Sequence, residues 1–387
     1  MKLKHLFFLF LLTFSCNSPD PDLLEIDPRD WVENKITLAE IADDIYYIPL
    51  DNTYPIGLIY DKIKFINNSI YLSAQNTGLL EFNKEGKLLR KIGSFGRGPG
   101  EYTTCYRFTI DEKTGTVYIS DSGNIIKVFS RTGVFLRSLS FQEYGDMIDA
   151  IESYNSKLFT SFSIQYENAR YEWMVFDTLG NVIKKKERTS PKFRSNALGS
   201  GDTYKYENLL TYWNNFTDTV FSILPDLNQK ASYIISPGEH RLPKSGITAE
   251  SMSAYMWFRQ IFETSRFIFI RYFFPLKKYA FVLIDKNNNK PFPINLKSID
   301  GGITLTDGII NDLDGGIRFI PRSYFMENGH EFMIGLINPC QIQALVKSNG
   351  FKNTVRKYPE KKNELEKLAN SLKETDNPVL MIVRLKK

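Results

Sequence analysis

Carboxylates and amides spaced along turns are the first places where this sequence could do chemistry. Asp312 and Asp314, followed by Gly315-Gly316, put two carboxylates in one tight loop. Alternating oxygens of this kind are what a divalent cation takes as ligands. Asp121 and Asn124 flank Ser122-Gly123 in a second such turn, so Asp121, Asn124, Asp312 and Asp314 are where a divalent metal would be sought. The competing reading is plain: Asp and Asn side chains bond nearby backbone in turns. The 312–316 run also lacks the third ligand and distal Glu of an EF-hand loop.

A third candidate is the glycine-rich stretch 93–100. A phosphate cradle needs backbone N–H groups converging at a helix start. Here Pro99 removes one donor, no Lys-Ser/Thr pair follows, and the next element reads as a strand. The stretch therefore reads as a connection between repeated units, from which Arg97, Glu101 and Tyr102 could reach a ligand, alongside Asp312 and Asp314. Nothing assigns a catalytic residue. Beyond the leader only His240 and His330 remain, without metal-ligand spacing, and neither a nucleophile elbow nor a Walker loop is present. Trp173, Trp213 and Trp257 offer either sugar-stacking platforms or packing between repeats.

Composition narrows the class. The chain has 387 residues, 14% aromatic and 42% hydrophobic, with a formal net charge of +5. Lys2 and Lys4 precede the apolar run from Leu6 to Leu12, which is too short to span a bilayer. Ser15-Cys16 follows, then a polar, proline-broken segment. Residues 1–15 thus read as a lipoprotein signal peptide, Cys16 as the lipidated first residue, 16–35 as a tether and 36–387 as the folded domain. Loss of Lys2 and Lys4 leaves +5 − 2 = +3, which with no long basic block argues against nucleic-acid binding. Lys184-Lys185-Lys186 reads as a solvated strand end. Cys105 and Cys340 are too few for a disulfide framework; an oxidising compartment would permit one bond between them, but they read rather as two buried free thiols.

The elements that must position these residues repeat. Tyr71, Phe82, Gly86 and Arg90 recur 47 residues later as Tyr118, Phe129, Gly133 and Arg137, and Phe176 and Gly180 continue the step. A period of 47 suits a four-stranded propeller blade. Gly86, Gly133 and Gly180 fall where a hairpin needs positive φ. Eroded copies follow: 219–223 with 233–235, 266–270 with 281–285, and 316–320 with 331–334, the Asn287-Asn288-Asn289 run marking a turn. That makes an all-β, six-bladed propeller. Helices are expected at 248–262 and at 359–374, the second just before a closing strand at 379–383. We expect that last strand to meet the lone strand 45–50 in one blade and close the ring.

Gly93-Ser94-Phe95-Gly96-Arg97-Gly98-Pro99-Gly100-Glu101-Tyr102, continuing through 117–129, resembles an NHL repeat. The whole chain resembles the six-bladed β-propeller lipoproteins of Bacteroidetes. The lipobox ending in Ser15-Cys16, Tyr47-Ile48-Pro49-Leu50, Gly98-Pro99-Gly100-Glu101-Tyr102, Asn311-Asp312-Leu313-Asp314-Gly315-Gly316 and Asp376-Asn377-Pro378-Val379-Leu380 carry that resemblance. It implies the fold and an exported protein lipid-anchored in the bacterial envelope, at the outer membrane or in the periplasm. It implies no catalytic residues. The expected function is non-catalytic binding or scaffolding, with a glycan, a peptide or an envelope protein as partner. The alternative is a metal-dependent propeller enzyme of lactonase or lyase type. No cofactor is required by the sequence, and a divalent metal belongs to the alternative alone.

Overall fold

Strands here are short, aromatic-rich and hinged on glycine or asparagine turns, a pattern that yields small twisted sheets. In the computed structural model, which describes residues 23–387 except 33, 146, 196–200, 246, 249, 275–278, 297–304 and 354–356, they form six sheets around an axis. We call the strands of each blade a to d from the axis outward. Blade 1 is Ile59–Ile66, Ser69–Ala74, Gly78–Asn83 and Leu88–Ile92. Blade 2 is Arg107–Ile110, Val117–Asp121, Ile125–Phe129 and Phe135–Ser140. Blade 3 is Ile148–Tyr154, Lys157–Phe162, Tyr171–Phe176 and Val182–Glu187. Blade 4 is Gly201–Tyr206, Leu209–Asn214, Thr219–Ile223 and Gln229–Ile235, with Leu24–Ile26 added in parallel as a fifth, outermost strand. Blade 5 is Trp257–Glu263, Phe267–Phe273, Tyr279–Asp285 and Lys290–Asn295.

Blade 6 is composite. Strands a, b and c are Ser323–Glu327, His330–Ile337 and Val379–Leu385, and strand d is Ala42–Pro49 from the other end of the chain. The expected closure is therefore present, with Tyr46 opposite Ile382 and Ile48 opposite Leu380. Asn377 locks the joint from within. Its Nδ2 donates to the carbonyls of Asp51 and Tyr54, both at 2.7 Å, and its Oδ1 accepts from the Ile56 amide at 2.8 Å. Its own amide donates to Asn52 Oδ1 at 2.7 Å.

Each middle strand is sandwiched between neighbouring blades, so both faces are dry and its residues read as continuous apolar runs. Ser69–Ala74 is buried at every position. The repeat also explains its own cation. Arg90 donates from Nη1 to the Arg131 carbonyl at 3.1 Å, in the c–d turn of the next blade. Arg137 makes the corresponding bond to the Thr178 carbonyl, and Lys184, a further 47 residues on, reaches Asn228 Oδ1 at 2.7 Å. These are ties between blades. The glycines at the same turns have φ of 83°, 83° and 94° for Gly86, Gly133 and Gly180, as their spacing requires.

Two expectations fail. The helix expected over 248–262 is only a 3₁₀ turn at Ser251–Ala254, and Trp257–Glu263 is strand a of blade 5, paired with Phe267–Phe273. The ring needs a first strand there, and aromatic residues serve a sheet better than a helix. The sixth blade does not use 316–320 as a strand. That stretch makes only an isolated bridge from Phe319 to Ile309, because the preceding loop is tied to itself, the Gly316 amide donating to Asp314 Oδ1 at 2.7 Å. The helix at 359–374 is present as Pro359–Ser371, before the last strand, and Pro339–Lys347 and Asn349–Asn353 add two more. Among the described residues no helix is long and apolar enough to cross a membrane.

Candidate functional site

The a strands converge on the axis and line a cavity of about 420 Å³. It sits at the end of the ring where a turns into b, marked by Asn67, Asn68, Glu112 and Glu327. Its two walls differ because successive strand residues point to opposite faces. In blade 1, Lys62 and Lys64 share one face of strand a, and Ile63 and Phe65 share the other.

The polar wall is a set of mutually satisfied ion pairs. Lys64 Nζ lies 2.7 and 2.6 Å from the two oxygens of Glu152 in blade 3, and Glu152 also accepts from Thr109 Oγ1 at 2.6 Å. Lys62 Nζ meets Asp202 Oδ1 at 2.5 Å. Blades 1 and 4 face each other across a ring of six, so this pair crosses the axis and gives the cavity a floor. Lys205 pairs with Glu112 and stands 4.0 Å from Glu152. Burial alone would raise the Glu152 carboxyl, but the ammonium groups of Lys64, Lys205 and Lys62 overcome it and hold it down at about 2. Burial pulls the Lys64 ammonium down to about 8, against the attraction of Glu152 and with the repulsion of Lys62 and Lys205. Partial desolvation pulls Lys205 the same way, yet Glu152 and Glu112 outweigh it and raise it.

The apolar wall comes from blades 1, 5 and 6. Phe65 stacks on Phe325 with ring centroids 4.3 Å apart, and Phe325 stacks on Phe332 at 4.8 Å. Phe262 stacks on Phe269 at 4.4 Å, and Met326 stands 58% exposed at the rim. Behind this wall Tyr204 donates to Glu263 at 2.5 Å and shares a 2.8 Å hydrogen bond with Tyr233. The result is a floored pocket with a charge-balanced side and an aromatic side.

The residues singled out from sequence sit elsewhere. The 93–100 stretch joins strand d of blade 1 to strand a of blade 2, hence at the opposite end of the ring. There Arg97, Glu101 and Asp121 share a shallow surface depression with Thr103, Ser122 and Lys127. Glu101 folds back over its own loop, accepting from the Gly98 amide at 2.7 Å. Tyr102 is fully buried, accepting from the Leu79 amide at 3.1 Å and donating to the Ile92 carbonyl at 2.9 Å. Asp121 accepts from the Thr103 and Ser122 amides, both at 2.8 Å, and Asn124 Oδ1 accepts from the Ile148 amide at 2.9 Å. Asp312 accepts from the Ala39 amide at 2.8 Å. Asp314 is fully buried against blade 6, accepting from Tyr47 at 2.7 Å and Asn311 at 2.6 Å. Among the described residues no three His, Cys, Asp or Glu side chains gather as metal ligands.

Trp173 is buried between blades 3 and 4, donating to Gln229 Oε1 at 2.9 Å, and Trp213 is buried as well. Cys105 and Cys340 are both free thiols, but only Cys105 is buried, since Cys340 lies exposed in the first turn of helix Pro339–Lys347. Cys16 lies outside the described residues. Sequence reasoning missed Lys62, Lys64, Glu152, Asp202 and Lys205. Their one signal is charge inside inner strands, as in Lys62-Ile63-Lys64, and pairing them requires knowing which blades face across the axis.

A floored axial pocket in six antiparallel blades defines a closed propeller with a ligand-sized cavity. A family model described as a domain of unknown function (DUF4934) matches residues 23–384, and the chain belongs to that family. None of the curated proteins matches it. Among solved structures it resembles a protein of Bacteroides fragilis NCTC 9343, provisionally described as exported, at 17% identity and a TM-score of 0.65, covering 94% of this chain and 99% of that one. A member of the DUF4221 family from Bacteroides vulgatus ATCC 8482 aligns at 14% identity and a TM-score of 0.49, covering 89% and 97%. At such identity the first likeness speaks for the fold alone.

Proposed function

We propose that this chain is an exported, lipid-anchored binding propeller of the bacterial envelope, taking a small amphipathic ligand in its axial cavity. One observation carries the reading: a pocket of about 420 Å³ sets a wall of lysine–carboxylate pairs against a wall of stacked aromatic rings. Pockets of this size and mixed lining suit small-molecule or chain-end recognition. The carboxylates on the polar wall are matched by lysines, an arrangement that orients a ligand rather than attacking it. A short glycan or peptide end would lay its apolar face on Phe65 and Phe262 and turn its polar groups to Lys62, Lys205 and Asp202.

Ligand-induced shifts in thermal unfolding, screened across oligosaccharides and short peptides and followed by calorimetry, test this. A true ligand loses affinity at least tenfold with Met326→Glu and with Lys205→Gln, both at the cavity and neither in the core. A hit indifferent to both substitutions, or one that the protein turns over, would sink the proposal.

A further inference from the structure

The outer rim of the ring is chemically split. The c–d turns and d strands of blades 1 to 3, at 84–92, 130–140 and 177–187, hold nine Lys and Arg against three Asp and Glu. That net of +6 exceeds the +5 of the whole chain, so the remainder is slightly net acidic. The matching segments of blades 4 to 6, at 224–235, 286–295 and, in the split blade 6, 386–387 with 42–49, hold five cations against three acids, a net of only +2.

Apolar exposure follows the same split. Leu89, Leu136 and Ile183 recur at the 47-residue step and are 46%, 48% and 45% exposed. Val134, Leu179 and Val182 add to them, so six of the thirteen large hydrophobics exposed among the described residues lie on these three hairpins. None lies on the other three. Those edges are handled differently: blade 4 is capped by Leu24–Ile26, blade 5 carries Pro291 and Pro293 in its outer strand, and blade 6 carries Asp43 and Asp44. Prolines and caps are how an edge is kept from other surfaces. On blades 1 to 3 the edge instead alternates exposed aliphatics with cations.

We infer that this half-rim rests on an anionic lipid surface. Cations beside a phospholipid face and aliphatics at its headgroup boundary each add to adhesion, and the two together match the composition seen here. The lipid anchor proposed above supplies the geometry. From Cys16 to Leu24 is eight residues, a reach below about 30 Å even fully extended, and Leu24 enters the fold on the outer edge of blade 4. Blade 3 is the next blade round, joined to blade 4 by the Lys184–Asn228 bond, and its edge has Leu179, Val182 and Ile183 followed by three lysines. The tether thus delivers the basic, aliphatic edge to the bilayer and sets the ring on its side, with the axial cavity open laterally.

The test uses the Cys16→Ala chain, which carries no acyl group, so it stands or falls apart from the anchor. The anchor is read separately, from the acyl mass on Cys16 of the parent. Co-sedimentation with phosphatidylglycerol-containing vesicles, with little binding to phosphatidylcholine alone and loss in high salt, is the expected result. Leu179→Glu, Ile183→Glu, Lys185→Glu and Lys186→Glu combined should weaken binding at least about tenfold, with an unchanged melting temperature. All four positions leave the Lys184 tie intact. Absence of phosphatidylglycerol-dependent binding, or equal binding by the quadruple variant, overturns the inference. Amide protection of 179–187 by envelope proteins but not by vesicles also overturns it, in favour of a peptide partner.

Discussion

Neutralising Glu152 asks most directly whether the axial ion pairs hold the ring as described. Glu152→Gln keeps the shape and the bond to Thr109 but removes the charge facing Lys64, whose side chain is 13% exposed against 4% for Glu152. A carboxyl moved from its ordinary 4.5 to about 2 is favoured in its ionised form by about 3 kcal/mol. That matches the 3–5 kcal/mol typical of breaking a buried pair from one side. The sign follows from the lowered pKa: the contribution is complete above 4.5 and fades as pH falls toward 2. Urea unfolding followed by tryptophan fluorescence should therefore separate parent and variant by about 3 kcal/mol at pH 7 and by under about 1.5 kcal/mol at pH 3. Adding Lys64→Met to the variant should recover much of the loss, since the stranded ammonium is then gone. A difference that stays constant with pH, or a double variant no better than the single, would refute the reasoning.

Three further outcomes are expected. Asn377→Ala removes three side-chain bonds that close the ring onto half-exposed backbone groups, so stability should drop by about 1–3 kcal/mol; protease cutting should rise within 50–56, and an unchanged digest would count against the lock. Gly86 and Gly133 share a φ of 83°, but a Cβ at Gly86 would lie 2.2 Å from the Pro49 carbonyl oxygen, whereas at Gly133 its nearest neighbour is Arg90 Cδ at 3.6 Å. Gly133→Ala should cost about 1–2 kcal/mol and Gly86→Ala visibly more, read from melting temperatures. Cys340 should take up maleimide in the native protein while Cys105, its thiol pushed up to about 12 by burial, reacts only on unfolding.

The regular half of the fold was legible because its signals are local. A hairpin glycine and a cross-blade arginine depend only on their own blade and the next, so Gly86, Gly133, Arg90 and Arg137 repeat at a fixed step. Trp257–Glu263 misled because its apolar residues fit a helix as well as a strand, and the ring alone decides between them. The site was harder still. Lys62 and Asp202 lie 140 residues apart and meet only because blades 1 and 4 oppose each other. The motifs that stand out to the eye, Asp314 and Tyr102 among them, stand out because a buried turn or joint fixes them.

The borrowed strand of blade 6 also sets a schedule. Asp43 and Arg384, joined across that sheet, are separated by 341 residues. As the chain emerges from the ribosome, Ala42–Pro49 appears long before Val379–Leu385, the strand it pairs with. Five blades must wait as an open arc, with one unpaired strand at its leading edge, before the molecule becomes circular. Truncation of Val379–Leu385 alone would thus leave not a slightly weaker propeller but an unsealed one.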